Sequence, residues 1–259
     1  MDIDIKAAAQ VLAPDAALIA ELNQLAKASR ILEINGHGDR IFGHIAMRDP
    51  LGRGFWLKRT GISLGEVFDH RDFLLVDFDG NVIHGDRRRL HSEWPIHAEI
   101  MKRRPDIHFT AHTHPFYGVI YSSIEEPMPM LHNRRFQSPP RFEKSSEFIL
   151  TPEEGAAVAA ALGEAMLMFM RHHGMVYCGR HRYELVYMGI GLEEACHEAL
   201  IASASSLSWS AAPVKERSIE RRPASSGIGR DQDLWDYYCR VLDRAEQAGD
   251  PRLSKAPVS

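Results

Sequence analysis

"HSEWPIHAEIMKRRPDIHFTAHTHP", residues 91–115, changes period halfway along. Ser92 is a predicted N-cap, Glu93 falls in an acidic first turn, and apolar residues follow at helical spacing until Pro105. "IHFTAHTH" then alternates as a strand. Side chains alternate faces along a strand, so His112 and His114 point to one side, with His108 and Thr110 beside them if the strand is regular. A helix delivering a carboxylate runs straight into a strand that presents imidazoles.

The flanking segments extend this order. Asp15 to about Ser29 carries Leu18, Ile19, Leu22, Leu25 and Ala26 at helical spacing, with Pro14 suited to the first turn. "FGHIAMRDP" and "GFWLKRTG" are predicted strands, the second ending at Gly61. "DFLLVDFDGNVIHG" has two apolar runs around Asp79-Gly80-Asn81, which is hairpin chemistry. Residues 122–148 are rich in proline and predict a long surface excursion with at most a short strand. Thr151-Pro152-Glu153-Glu154 opens a helix by capping logic. "LMFMRHHGMVYCG" predicts a strand, a turn at Gly174 and another strand, and a long helix follows. The polar segment after residue 212 breaks regular structure before a final helix near Leu234 to Ala248. Irregular alternation of strands and helices, with early hairpins, predicts an α/β or α+β layered domain with a mixed sheet.

With 259 residues, 44% of them hydrophobic, the chain can build one large core. A net charge of −4 argues against a nucleic-acid partner. The three cysteines are far apart and form no CxxC, which predicts reduced thiols in the cytoplasm. The N-terminal stretch lacks the apolar region of a signal peptide, and no apolar run reaches the ~18 residues of a membrane helix. The methionines of 166–175 predict core filling, and Tyr237-Tyr238 predicts packing between subunits.

The 14 histidines concentrate between positions 84 and 197. His112 and His114 alone read either as an exposed pair or as half of a metal site. His172-His173-Gly174 reads as an exposed basic turn or as the source of a third ligand. Glu93 reads as a plain first-turn acid or as a carboxylate held ionised by the helix N-terminus. His97, one turn on, suits packing in the helix face better than ligation. Together, three imidazoles and a glutamate are the parts of a catalytic metal site with an open position. The ion would stabilise a developing enediolate or phenolate, and the glutamate would move a proton.

"FGHIAMRDP", "KRTG", "VDFDGNVIHG", "HSEWPIHAEIMKRRPDIHFTAHTHP" and "RHHGMVYCG", in that order, resemble the class II aldolase/adducin family over roughly residues 15–210. The resemblance implies a three-layer α/β/α fold around a central, mainly antiparallel sheet, in a homotetramer with sites near subunit boundaries. It implies a catalytic domain at 1–212 and a C-terminal extension at 213–259, whose helix packs on the domain or a neighbouring subunit. It further implies one divalent metal per subunit (zinc, manganese or iron(II)) on His112, His114 and His173, with Glu93 as acid/base.

Departures from the family pattern bear on the substrate. Phosphate-binding members carry Gly-Asn in the first loop, a hydroxyl two residues after that Asn and a Ser-rich stretch before the glutamate. Here these are Gly43-His44, Ala46 and His91. A nest of small donors suits a phosphate dianion, whereas imidazoles suit a planar carboxylate or a phenol. The pattern looks more like the branch acting on hydroxylated aromatic acids, which includes decarboxylases and an iron-dependent oxygenase. The expectation is non-oxidative decarboxylation of a hydroxylated aromatic or heteroaromatic acid, with no nucleic-acid or membrane partner. Glu93 and His44 would be catalytic; Gly43, Lys58, Thr60, Gly61, His91, Ser92 and Tyr117 would contact substrate, with Trp56 beside the pocket loops. Retro-aldol cleavage, oxygenation and an adducin-like interaction role remain as alternatives. Arg134 and Arg135 read as a solvated loop or as a clamp for a second carboxylate.

Overall fold

The computed structural model describes residues 14–132, 136–144, 148–212 and 228–255. In chain order these form helix α1 (Ala16–Leu32), a π turn (Glu33–His37), strands β1 (His44–Arg48), β2 (Phe55–Lys58), β3 (Phe73–Val76) and β4 (Val82–His84), helix α2 (Trp94–Arg103), strand β5 (Phe109–Thr113), helix α3 (Phe116–Ser122), strand β6 (Arg141–Phe142), helix α4 (Pro152–Leu162), strands β7 (Leu167–Met170) and β8 (Gly174–Gly179), and helices α5 (Arg182–Ala204) and α6 (Ile228–Gln247). The eight strands make one sheet in the order β4-β3-β2-β1-β5-β8-β7-β6. Every neighbouring pair is antiparallel except β6 with β7.

Alternation along the strands builds three layers. Ile45, Met47, Phe109, Ala111, Met175 and Tyr177 face one way, into a core shared with Leu22, Leu25 and Ile31 of α1 and Leu185 and Leu192 of α5. Val176, Cys178, Met168 and Met170 face the other way, against Ile96 and Ile100 of α2 and Val158 of α4. Ala46, Phe55 and Leu57 join Ala98 and Met101 on that same side. The predicted α/β/α sandwich with a mainly antiparallel sheet is the observed fold. Pairing matters for the site: His44 lies opposite His112, and Ala46 opposite Thr110, so His44, Thr110 and His112 all project toward α2.

Several local expectations change. Asp15, not Pro14, opens α1: its carboxylate accepts from Leu18 N–H at 2.8 Å, which leaves Pro14 outside the helix. Glu93 occupies the N-cap of α2, and Ser92 lies exposed ahead of it. Thr151 and Glu154 form the expected capping box on α4. The tight turn before β8 takes its left-handed residue at His172 (φ 56°), not at Gly174. Gly174 is needed for proximity, because a Cβ there would lie 2.5 Å from the Thr113 carbonyl and 2.7 Å from the His114 ring. Trp56 is fully buried in the α1-side core and donates from Nε1 to Asp49 at 2.9 Å, so it does not sit beside pocket loops.

The methionines 168, 170 and 175 are core, as expected, and none of the three cysteines forms a disulfide. Helix α6 packs on α1 and α5 through buried Trp235 and Leu242, and Glu246 accepts from the Arg30 guanidinium at 2.9 Å. Tyr238 packs on this core of its own chain, while Tyr237 is exposed. No helix among the described residues is long and apolar enough to cross a membrane. Arg134, Arg135 and the polar stretch 213–227 lie outside the described residues.

Helix α3 has no obvious start signal in the sequence, because its cap comes from far away. The buried Glu193 carboxylate of α5 accepts from Tyr117 N–H at 2.9 Å and Gly118 N–H at 2.7 Å. This grip fixes the chain directly after His114. Replacing Glu193 with alanine strands both amides and is expected to cost about 2–4 kcal/mol in a denaturant titration. A loss below about 1 kcal/mol would mean that water caps the helix equally well.

Candidate active site

Three imidazoles converge where β5 ends against β8. His112 Nε2 lies 3.0 Å from His114 Nε2 and 3.3 Å from His173 Nε2. His112 comes from the strand itself and is fully buried, whereas His114 and His173 sit on the loops just beyond. The neighbouring His172 turns outward, with its Nδ1 3.0 Å from the Ser123 hydroxyl.

Hydrogen-bond direction fixes what these nitrogens offer. His112 Nδ1 sits 3.1 Å from the Met175 carbonyl, which can only accept, so Nδ1 carries the proton. His114 Nδ1 sits 3.0 Å from the Asp39 carboxylate and carries its proton for the same reason. Burial holds His112 and His114 neutral by pushing their pKa values down, and it lowers His173 to about 4. Both Nε2 atoms therefore point lone pairs at each other across 3.0 Å. That arrangement is repulsive unless a cation lies between them. Ligands held ~2.0–2.1 Å from a tetrahedral zinc ion stand about 3.3 Å apart, close to the spacings found. A divalent cation fits these residues.

A second group, His44, His91 and Glu93, also brings ligand-type atoms within 4.8 Å of one another. Its hydrogen bonds make it a poor metal site. His91 Nδ1 already accepts from Glu93 N–H at 3.3 Å, and its ring also bonds the Phe42 carbonyl. His44 Nδ1 is held 2.6 Å from His97 Nε2, and His97 Nδ1 lies 2.6 Å from the Thr110 hydroxyl. Glu93 hangs between the two groups. Its Oε1 accepts from Ile149 N–H at 3.1 Å, and its Oε2 lies 3.5 Å from His44 Nε2 and 3.8 Å from His112 Nε2.

The expected ionised Glu93 is corrected by its surroundings. Only 1% exposed, it has its pKa raised to about 7 by burial, against the lowering effect of the Ile149 N–H. Desolvation outweighs a helix end worth about 0.3–1 kcal/mol. The result is a carboxyl poised to gain or lose a proton near neutral pH.

The remaining predicted residues scatter. His91 has both nitrogens engaged and serves Glu93's backbone; Ser92 faces solvent. Gly43 is buried beside His44. Lys58 is fully buried, with its pKa lowered to about 7 by burial, and donates to the carbonyls of Ile62 and Arg59. Thr60 N–H bonds the Arg89 carbonyl, and Gly61 lies exposed by the Arg89 guanidinium. Tyr117 stacks its ring on His197 at 4.0 Å. Sequence reasoning missed Asp39 and Ile149. Asp39 sits between Gly38 and Arg40, where no periodicity marks it, and Ile149 acts through its backbone.

The model for the Class II Aldolase and Adducin N-terminal domain matches residues 23–200. Decarboxylase NovR of Streptomyces niveus is 27% identical over 221 residues, covering 83% of this chain and 79% of that protein. The 3,4-dihydroxyphthalate decarboxylase of Arthrobacter keyseri is 37% identical over 101 residues, covering 35% of this chain and 39% of that one. Among solved structures, L-fuculose 1-phosphate aldolase from Glaciozyma antarctica PI12 superposes with a TM-score of 0.69 at 22% identity, covering 93% and 97% of the two chains.

Buried neutral histidines make the fold acid-sensitive. His37, on the other side of β5 and 2.9 Å from the Thr113 hydroxyl, has its pKa lowered from 6.5 to about 3 by burial, as do His91 and His97. Between those values the unfolded chain binds protons that the fold refuses, so stability is full above 6.5 and declines as pH falls. Glu93 opposes this: its raised pKa stores a proton in the fold between 4.5 and about 7. His44, His112, His114 and His173 are lowered by burial as well, so the imidazoles outweigh one carboxyl. Metal-free protein is expected to lose at least about 2 kcal/mol from pH 6.5 to 5.5 in urea titrations. A flat or rising profile would contradict this account.

Proposed function

The chain belongs to the class II aldolase and adducin N-terminal domain family, and from that premise we propose that it is a metal-dependent lyase removing CO₂ from a hydroxylated aromatic or heteroaromatic carboxylic acid. The observation that carries the reading is the pair of Nε2 lone pairs on His112 and His114, locked toward one point by Met175 and Asp39, with the Glu93 carboxyl beside them.

One zinc, manganese or iron(II) ion per subunit, held by His112, His114 and His173, would supply Lewis-acid stabilisation of the charge left when CO₂ departs. The protein's own groups do the rest. Protonated Glu93 gives its proton to the ring carbon: the bond to the carboxylate breaks, its electron pair stays on that carbon, and a new C–H bond forms. Glu93 is left as a carboxylate and regains a proton from solvent. His44, fully buried and 3.5 Å from Glu93, orients that carboxyl. Burial of Glu93, His44 and His112 keeps bulk water from the reacting carbon.

The choice of substrate rests on charge. Beside the metal ligands stand two neutral imidazoles, His44 and His91, with ring centroids 4.0 Å apart, and Lys58 Nζ is turned to backbone carbonyls. These rings are not the nest of small donors that suits a phosphate dianion, whereas a hydroxy-carboxylate would chelate the cation. Phe148, 57% exposed, sets its ring edge-on to His173 at 6.2 Å and offers an apolar margin. Similarity to NovR and to 3,4-dihydroxyphthalate decarboxylase supports this reading. The catalytic unit would be residues 1–212, with 213–259 an extension. We further assign the enzyme to the cytoplasm as a homotetramer.

Evolved CO₂ from hydroxyaromatic acids, assayed beside a sugar phosphate, tests the reading. His114→Ala is expected to abolish metal content and turnover together. Glu93→Gln should keep the metal and lose about 10²–10⁴ in kcat. Turnover without metal, or cleavage of the sugar phosphate alone, would remove the proposal.

A further inference from the structure

Next to Glu93, three buried groups join end to end. Thr110 Oγ1 lies 2.6 Å from His97 Nδ1, His97 Nε2 lies 2.6 Å from His44 Nδ1, and His44 Nε2 lies 3.5 Å from Glu93 Oε2. Thr110, His97 and His44 are all 0% exposed. Such a row can run in either direction, and the direction decides what His44 shows to the site.

The Thr110 end settles it. Among the described residues, His97 is the hydrogen-bond partner of the Thr110 hydroxyl. If the hydroxyl accepted from His97, its own hydrogen would be buried without an acceptor, at a cost of about 1–3 kcal/mol. If it donates, only a spare lone pair is left, which folded proteins tolerate more readily. Thr110 therefore donates to His97 Nδ1. A neutral His97 then carries its proton on Nε2 and donates it to His44 Nδ1. A neutral His44 has one place left for its proton.

We infer that Thr110, acting through His97, fixes the proton of His44 on Nε2, so that His44 faces Glu93 and a bound oxyacid as a hydrogen-bond donor and not as a base. Thr110 and His97 are positioning residues: neither touches substrate, but together they choose which nitrogen of His44 bears hydrogen. The consequence for catalysis rests on the function proposed above. A fixed N–H stabilises the Glu93 carboxylate after it has given up its proton, and leaves Glu93 as the sole proton carrier. The tautomer itself is a property of the folded chain and holds whatever the substrate.

Nitrogen-15 NMR of zinc-loaded, full-length protein labelled at histidine reads the tautomer directly, with the His44 signals assigned by their loss in His44→Gln. The expected wild-type pattern is a protonated Nε2 and an unprotonated Nδ1. Thr110→Val keeps the shape but removes the donor, and should shift His44 to a mixture of tautomers. Thr110→Ser should restore the wild-type pattern. In CO₂ release, Thr110→Val should lower kcat about 10-fold, the worth of one hydrogen bond, with KM within about twofold and zinc content unchanged. Thr110→Ser should recover the rate. A wild-type His44 protonated on Nδ1, or a Thr110→Val spectrum identical to wild type, would overturn the inference. A wild type with the expected tautomer but no CO₂ release would leave the inference standing and sink the decarboxylase reading instead.

Discussion

Two nitrogen lone pairs pressed toward each other set the terms for the rest of the molecule. His112 and His114 would relax apart if their rings could turn, and the fold denies them that freedom. The Met175 carbonyl on β8 holds one ring, and the Asp39 carboxylate from the loop ahead of β1 holds the other. Each hydrogen bond is worth about 1 kcal/mol on its own. The packing makes them hard to escape. His112 lies on a central strand with β1 and β8 paired on either side. The Gly174 backbone closes on Thr113 and His114 so tightly that no side chain fits. Strand pairing, a glycine and two acceptors together keep an electrostatically costly grouping in place.

The same interior shows which effect wins when burial and dipoles compete. Glu93 stands at the start of α2, where a helix end favours a negative charge, yet its pKa rises because almost nothing wet reaches it. Lys58 behaves likewise on the basic side: burial loosens its proton although acids lie within electrostatic reach. Charge is scarce in this layer, and the imidazoles stay neutral. A neutral, dry layer amplifies whatever single charge enters it.

The sequence was most legible where local signals and tertiary structure agree. The alternation of "IHFTAHTH" and the helical spacing of "EWPIHAEIMKRR" both appear as elements, and their order implies the layered sheet. The gathering of His112, His114 and His173 beside Glu93 followed from family likeness more than from spacing. Position 172 shows why: two adjacent histidines look alike in sequence, and only the left-handed turn decides which one faces inward. Helix α3 was hidden because its cap, Glu193, lies 75 positions or more downstream of the amides it holds. Lys58, Thr60, Gly61 and Tyr117 looked like pocket residues by neighbourhood along the chain. In space their polar atoms and rings turn to carbonyls, an arginine and another histidine. Asp39 and Ile149 gave no pattern at all, since one acts from an irregular loop and the other through a backbone amide.

The cross-strand pairing of His44 with His112 places the chemistry on the framework and leaves recognition to the rim. Neither imidazole can be moved without unzipping the middle of the sheet. The side chains of Ile41, Phe42, Phe148 and Leu150 are exposed and lie outside the strands. Descendants of this chain are thus free to rewrite those margins, while the cluster of imidazoles on the sheet is inherited intact.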